Sequence, residues 1–283
     1  MEKAIRQLEM ERRRYSADDV IALFHRLTKE TSLFSFMHSV IVQLKQLGKI
    51  RTSETYTATL KSFMEFRDGQ DVPLDGIESD LMLLYEACLK KKGVRMNTTS
   101  FYMRILRAVY NRAVEKGLTE QRYPFRHVYT GVEKTVKRAV SVKVIKKLKE
   151  LDLSMKPSLD FARDMFLFSF YTRGMSFVDM AYLRKIDLQN GILTYRRRKT
   201  GQQLTIKWEK CMEEIICKYP SNKTDYLLPI IKVQDNERKQ YDNALHLVNY
   251  RLKDLSKILK LQRTLTLYVA RHSCCLLYTS DAA

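Results

Sequence analysis

The residues of greatest chemical interest lie in the second half of the chain, in three separate contexts. Arg173 and Ser176 follow a strongly apolar stretch. Lys199 lies between two strand-like segments, and Arg271 closes a short apolar segment. A guanidinium group binds phosphate oxygens in bidentate fashion and keeps its proton at neutral pH. Each residue alone is typical of a surface or salt-bridge position, so their order along the chain is the more informative observation.

The surrounding sequence predicts helices that hold two of these groups. Residues 161–182 are apolar enough to predict one buried helix, which carries Arg173 and Ser176. Further helices are predicted at about 209–219, 243–259 and 267–273, and the last of them carries Arg271.

The third group belongs to a predicted hairpin. Residues 191–196 and 204–208 have the pattern of two strands. The turn at 199–202 contains Gly201, which can supply a positive φ. Lys199 is therefore expected at the hairpin tip, where a basic residue is often simply exposed.

The first half of the chain predicts an all-helical unit. Only nine glycines and five prolines occur in 283 residues, which favours helices. The unit of about 100 residues ends near Tyr123-Pro124-Phe125. Its helices are predicted at about 32–48, 52–66, 75–92 and 97–116, and residues 1–30 are consistent with one or two amphipathic helices.

The charge of the chain indicates a polyanionic partner. Lysine and arginine number 51 against 32 acidic residues, which gives a net charge of +19. Nucleic acid is the favoured partner because neutralised phosphates release counterions. A solvated basic surface or an anionic membrane surface is the alternative. No apolar run is long enough to cross a bilayer, the start lacks a signal region, and five scattered cysteines fit a reducing compartment, so a cytoplasmic protein is expected.

A basic run at 134–150 follows the helical unit. It would suit a strap between two domains that lies on a phosphate backbone. Alternatively, the same charges belong to a helix face that is simply solvated.

In its order of groups the chain resembles the tyrosine recombinase (phage integrase) family, especially integrases of the conjugative-transposon type. That family has an arginine after a long helix, a lysine on a β-hairpin and a late arginine box. The segment from Asn97 to Arg107 also resembles the end of the family's core-binding domain. The resemblance covers roughly residues 30–273 and implies a mainly α fold with a small β-hairpin or sheet, in which a helical SAM-like core-binding domain precedes an incomplete catalytic domain. The implied divisions are 1–29 (N-terminal helical segment), 30–133 (core-binding domain), 134–273 (catalytic domain) and 274–283 (non-native tail).

The resemblance also implies roles. Arg271 would be the second arginine of a phosphate clamp, and Lys199 the acid for the leaving 5′ oxygen. A tyrosine would form a 3′-phosphotyrosyl intermediate, with no cofactor and no metal.

Three positions depart from the family or its pattern. Ser176 stands where the first clamp arginine is expected, and Arg173, three residues earlier, is the proposed substitute because i and i+3 share a helix face. Tyr268 replaces the histidine of the box; a phenol can donate a hydrogen bond but is a poor base near neutral pH. His272 has either a direct role or a structural one.

Duplex DNA is the expected partner, bound by a clamp of both domains, and the complete enzyme is expected to assemble as a synaptic homotetramer without a membrane. The residues expected to contact DNA are Thr99, Tyr102, Arg104, Arg107, Lys134, Lys137, Arg138 and Arg197.

The C-terminal residues depart most from the family, which expects a nucleophilic tyrosine well beyond Arg271. Tyr278 follows Arg271 by only seven residues, and an unfolded tail would hold it in no fixed geometry, so it is rejected as the nucleophile. Residues 274–283 are interpreted as read-through. The chain is therefore expected to be an inactive recombinase; a non-catalytic accessory or regulatory DNA-binding protein is the alternative, and an RNA or membrane-surface binder a weaker one.

Overall fold

A computed structural model describes residues 16–17, 20, 32–135, 138–219 and 223–280. The chain divides into two compact units, Met1–Thr135 and Val136–Ala283, with the division two residues after the one that the sequence suggested. Most of the helical segment expected in residues 1–29 lies outside the described residues, as does Lys137.

The first unit is helical, as the sequence predicts. From residue 32 onward its α-helices are α1 (Leu33–Gln46), α2 (Ile50–Phe66), α3 (Ser79–Lys91) and α4 (Met96–Glu115), with a 3-10 turn at Leu74–Gly76. Apolar side chains one helical turn apart bury one face of each helix. Phe63 at the centre is fully buried, and its ring packs edge-on against Tyr85 with centroids 5.0 Å apart. Such aromatic pairs add to the stabilisation from area burial.

The second unit is built around one buried helix. Its helices are α5 (Val142–Glu150), α6 (Pro157–Tyr171), α7 (Phe177–Ala181), α8 (Lys210–Cys217), α9 (Glu237–Ile258) and α10 (Leu267–Ser280). The residues of α6 from Ala162 to Ser169 are all buried, and the helix packs against α9 and α10. Because α6 lies at the centre, its C-terminal end can support groups from several elements.

A three-stranded antiparallel sheet follows α7 and a 3-10 turn. The strands β1 (Leu188–Gln189), β2 (Ile192–Arg196) and β3 (Gln203–Lys207) lie in the order β1-β2-β3. The β2–β3 hairpin confirms the predicted one, and Leu193 pairs with Ile206 on the buried face. The two-residue strand β1 was not predicted because so short a segment has no visible alternation.

The prediction of one helix over residues 161–182 is wrong. The helix α6 ends at Tyr171, and the amide of Gly174 donates to the carbonyl of Ser169 over 2.8 Å. This bond is the hallmark of a Schellman ending, whose left-handed position is held here by Arg173 with φ of 55°. Arg173 and Ser176 therefore do not share a helix face.

The expectation of an unfolded tail is also wrong for the backbone, because α10 continues to Ser280. In the described part of the chain, no helix combines the length and the apolar character that a membrane span requires.

A buried ionic cluster joins α6 to the end of α8. The carboxylate of Asp164, 2% exposed, accepts from Lys218 Nζ and from the hydroxyl of Tyr219, each over 2.9 Å. Arg163 Nε donates to the same carboxylate over 3.2 Å and its guanidinium also pairs with Asp160. The nearby carboxylate and burial raise the pKa of Tyr219, with burial the larger cause. The cluster thus fixes the N-terminal half of the central helix.

Candidate active site

The turn after α6 lies directly against α10. Arg271 Nε donates to the carbonyl of Gly174 over 2.5 Å. A Cβ atom on Gly174 would lie 3.0 Å from both Cα and Cγ of Arg271, tighter than nine in ten real Cβ contacts. Gly174 also has φ of 77°, so glycine is required both for the conformation and for the close approach.

Gly174→Ala is therefore expected to destabilise the second unit by more than the about 1–2 kcal/mol that a left-handed residue costs by itself. Gly201→Ala is the matched control, because Gly201 has φ of 69° but nothing within 4 Å of its Cβ position. Urea unfolding of the two variants measures the difference. Equal losses of stability would show that the contact with Arg271 tolerates a methyl group.

Arg173 lies beside the same helix. Burial raises the pKa of the Cys274 thiol to about 11, and Cys275 adds to the rise, whereas the charge of Arg173 lowers it. The guanidinium of Arg173 is therefore close enough to act on a thiol three residues beyond Arg271. Its side chain is exposed, so the charge is accessible from solvent.

The hairpin is tied to α7 by Asp179, which the sequence analysis missed. This carboxylate is 4% exposed and accepts from the Ser176 hydroxyl over 2.5 Å and from the Arg198 amide over 2.9 Å. Ser176 is the N-cap of α7 and accepts from the Asp179 amide in return. The spacing Ser-x-x-Asp is a capping-box pattern, so the sequence did contain a signal for this contact.

Arg198 also makes a second contact that holds the hairpin tip. The Arg198 guanidinium carbon lies 3.9 Å from the centre of the Tyr182 ring, a cation–π geometry. Within the tip, the amide of Gly201 donates to the carbonyl of Arg197 over 2.8 Å. Lys199 is exposed at the tip, as predicted, while the half-buried Arg197 lies at its base.

A buried phenol, Tyr195, lies on strand β2 of the hairpin. Burial raises the pKa of Tyr195 to about 12, and Asp179 adds to the rise, whereas the charges of Arg197 and Arg271 lower it. Both arginines therefore act on one hydroxyl group. With 7% of its surface exposed and a raised pKa, Tyr195 is poorly suited to attack a phosphate.

Tyr268 of the arginine box lies against His272, the residue after Arg271. The ring centroids of Tyr268 and His272 are 4.3 Å apart, and Tyr268 is 63% exposed. His272 Nδ1 accepts from the Arg138 amide over 3.2 Å, and the Ser273 hydroxyl accepts from the Val140 amide over 2.9 Å. Of the two roles left open for His272, this bond is the one expected for a structural histidine.

A cleft of about 350 Å³ opens beside these groups. Ser176, Tyr268 and Arg271 lie along it, together with residues of α9 such as Tyr241 and Asn249. The Asn249 carboxamide oxygen accepts from the Leu267 amide over 3.1 Å and so caps the first turn of α10. In the ranges that the structure describes, no three histidine, cysteine or acidic side chains cluster in a way that could hold a metal ion.

Not every residue expected to contact DNA is accessible. Thr99 is fully buried in α4, so its assignment as a DNA contact is wrong. Tyr102 is half-buried and its ring packs near Phe101 at 6.1 Å. Arg104 and Arg107, one turn apart on the same helix, are both exposed.

The predicted basic strap is partly helical. Lys134 and Arg138 are exposed, and α5 buries Ile145 and Leu148. Its four exposed lysines are Lys143, Lys146, Lys147 and Lys149. The helix therefore presents a basic face to solvent.

Residues 32–129 match the family model of the phage integrase SAM-like domain. Among solved structures, a lambda integrase dimer bound to a COC′ core site superposes with a TM-score of 0.65 at 16% identity and covers 89% of this chain and 91% of that one. A lambda integrase tetramer bound to a Holliday junction gives 0.65 at 15% identity, covering 90% and 75%. The Tn1549 transposon integrase in complex with transposon right end DNA gives 0.63 at 13%, covering 89% and 88%. No curated protein sequence matches the chain.

At these identities the structural likeness establishes the fold, which runs through both units. The match to the SAM-like domain adds a sequence relationship for the first unit. Residues 32–129 are thus a phage integrase SAM-like domain, and the chain as a whole has the fold of the lambda and Tn1549 integrases.

Proposed function

We propose that the chain binds duplex DNA and holds one backbone phosphate in the geometry of strand breakage and rejoining. The observation that carries the proposal is the meeting of three distant segments. Arg271 bonds to the turn that follows Arg173, and Asp179 ties that turn's helix to the hairpin that carries Lys199. A protein that only bound DNA would not require a lysine on a tethered hairpin beside two arginines.

In the proposed reaction each group has one role. A tyrosine oxygen loses its proton to water, attacks phosphorus and forms a phosphotyrosyl bond, while the bond from phosphorus to the 5′ oxygen breaks. Lys199 gives its proton to that departing oxygen. Arg173 and Arg271 neutralise the charge that builds on the non-bridging oxygens, where preorganised donors contribute most.

The conformation of Arg173 supports its role as a clamp residue. A non-glycine residue with positive φ costs free energy and persists where the surroundings enforce it, which is common at functional sites. The Ser176 hydroxyl, in contrast, donates a hydrogen bond to the Asp179 carboxylate, so we assign Ser176 to the positioning of the hairpin. Tyr268, exposed beside the cleft, is proposed to donate a hydrogen bond to the phosphate.

We propose further that this chain by itself forms no covalent adduct. Among the tyrosines near the clamp, Tyr195 is buried and its pKa is raised. Tyr268 takes the position of a hydrogen-bonding residue. The chain would then act as a DNA-binding protein, which is the alternative function that these observations favour.

Two of the structural relatives are complexes with DNA, and they suggest how this chain would bind it. They are a lambda integrase dimer on a core site and a tetramer on a Holliday junction. We propose that this chain likewise assembles on duplex DNA, up to a synaptic tetramer. Because its substrate lies inside the cell, we propose a cytoplasmic location.

Salt dependence tests the DNA-binding part of the proposal. The logarithm of duplex affinity is expected to fall linearly with the logarithm of salt concentration, with a slope of about −0.9 for each phosphate neutralised. If six or more phosphates are contacted, affinity falls by about 10³-fold or more between about 50 and 200 mM salt. Fluorescence anisotropy of a labelled duplex measures it. An affinity that does not change with salt would contradict a phosphate clamp.

A further inference from the structure

A second cleft, in the helical unit, has no part in the strand-breaking chemistry. It has a volume of about 470 Å³, within the range of about 300–1,000 Å³ that is usual for ligand sites. Its described lining consists of Arg107, Asn111, Gln121, Tyr123, Pro124, Phe125 and Arg126. These include two arginines and no carboxylate, so the cleft favours an anionic ligand.

The cleft displays an aromatic ring. Tyr123 is 68% exposed although it is large and mostly apolar. Its φ is 50°, in the left-handed region that a bulky residue rarely adopts. Local strain of this kind points to a functional constraint when the neighbouring structure enforces it.

The neighbouring structure does enforce it. The Tyr123 amide donates to the Gln121 side-chain oxygen over 2.9 Å, and the Gln121 amide nitrogen donates to Asn111 over 3.3 Å. On the other side, Phe125 is buried against Tyr110, with centroids 6.1 Å apart. Because the chain is held in place on both sides of Tyr123, its ring stays exposed to solvent.

We infer that this cleft binds an unpaired nucleotide of single-stranded DNA, with its base stacked on Tyr123 and its phosphates paired with Arg107 and Arg126. A base in a duplex has both faces covered by its neighbours, so an outward ring in a concave cleft suits a base that has left the stack. Aromatic stacking with flanking cations is the usual means by which proteins hold single strands. Binding of this kind goes beyond the proposed duplex clamp and requires no residue of the second unit.

The test measures binding of a labelled oligothymidylate, which forms no duplex with itself, to the full chain at fixed salt. Tyr123→Ala is expected to weaken this binding by about 5- to 100-fold, as for other bases stacked on one aromatic ring. Tyr123→Phe keeps the ring and should bind like the unaltered chain. Tyr250→Ala, which removes a 59% exposed tyrosine from α9, is the matched control and should have no effect.

Two further measurements keep the inference open to contradiction. Tyr123→Gly should unfold at the same or a higher temperature, because glycine adopts positive φ without strain, and yet should lose single-strand binding. An oligonucleotide that carries 5-iodouracil should crosslink to Tyr123 on irradiation. The inference fails if Tyr123→Ala binds oligothymidylate as tightly as the unaltered chain, or if this variant loses affinity for duplex and for oligothymidylate by the same factor. It also fails if an acidic peptide of equal charge displaces the labelled oligonucleotide as effectively as unlabelled single-stranded DNA does. Intact duplex binding in Tyr123→Ala would separate failure here from failure of the duplex clamp.

Discussion

Replacing Arg271 with alanine is expected to reduce covalent adduct formation by about 100- to 1,000-fold, the range found when one preorganised donor to a developing oxyanion is removed. The measurement uses the chain fused to a family C-terminal segment that supplies a nucleophilic tyrosine, together with a nicked DNA substrate that traps the adduct. Arg271 is bonded through Nε to Gly174, which aims its remaining nitrogens. Arg271→Lys should restore little of the activity, because an ammonium group lacks the planar fork.

Two controls make this result specific to the clamp. Lys253→Ala removes an exposed positive charge from α9 and should leave adduct formation unchanged. Arg173→Ala should cause a loss of the same order as Arg271→Ala if Arg173 is the other clamp residue. Normal adduct formation by Arg173→Ala would remove Arg173 from the clamp, and no adduct even from the fused chain would favour a protein that only binds DNA.

The second large effect is expected at the buried ionic cluster. Asp164→Ala should destabilise the second unit, because it removes a buried carboxylate from the buried Arg163 and from Lys218, whose side chain is 41% exposed. Breaking a fully buried ion pair costs about 3–5 kcal/mol. Arg163 and Lys218 both retain Asp160, and Lys218 is partly solvated, so the lower part of that range is expected. The free energy of unfolding in urea measures the loss.

An aspartate with weaker pairing gives the comparison. Asp254 pairs with Arg251 and Lys257 at 3.5 and 3.6 Å near the surface. Asp254→Ala should cost no more than about 1 kcal/mol, since exposed ion pairs contribute little. Similar losses for the two variants would mean that burial of the Asp164 cluster has no energetic weight.

The sequence was most informative where local patterns determine structure. The hairpin was predicted because the chain alternates on both sides of a turn with Gly201. The four helices of the first unit were predicted because their apolar residues recur at helical spacing. The order of the basic groups along the chain resembled that of the tyrosine recombinases. The match to the SAM-like domain and the fold of both units support that resemblance.

Errors arose where tertiary contacts decide the outcome. The end of α6 was missed because Arg173 holds the left-handed position that glycine usually marks, and the apolar run continues through Met175 and Phe177. Thr99 was taken for a DNA contact because a small polar residue on a helix can face either way, and here it is packed inside. The bond from Arg271 to Gly174 joins residues 97 positions apart, so no local pattern could have predicted it.

The carboxylate of Asp179 has a mechanical consequence. It holds the hydroxyl that begins α7 with one oxygen and the backbone of the hairpin tip with the other. If either partner moves, the Asp179 carboxylate must move with it, and its hydrogen bond to the other partner is weakened. With the roles proposed for these residues, a DNA strand that displaces Lys199 would also displace the turn that contacts Arg271, so that the proton donor and the phosphate clamp would engage together.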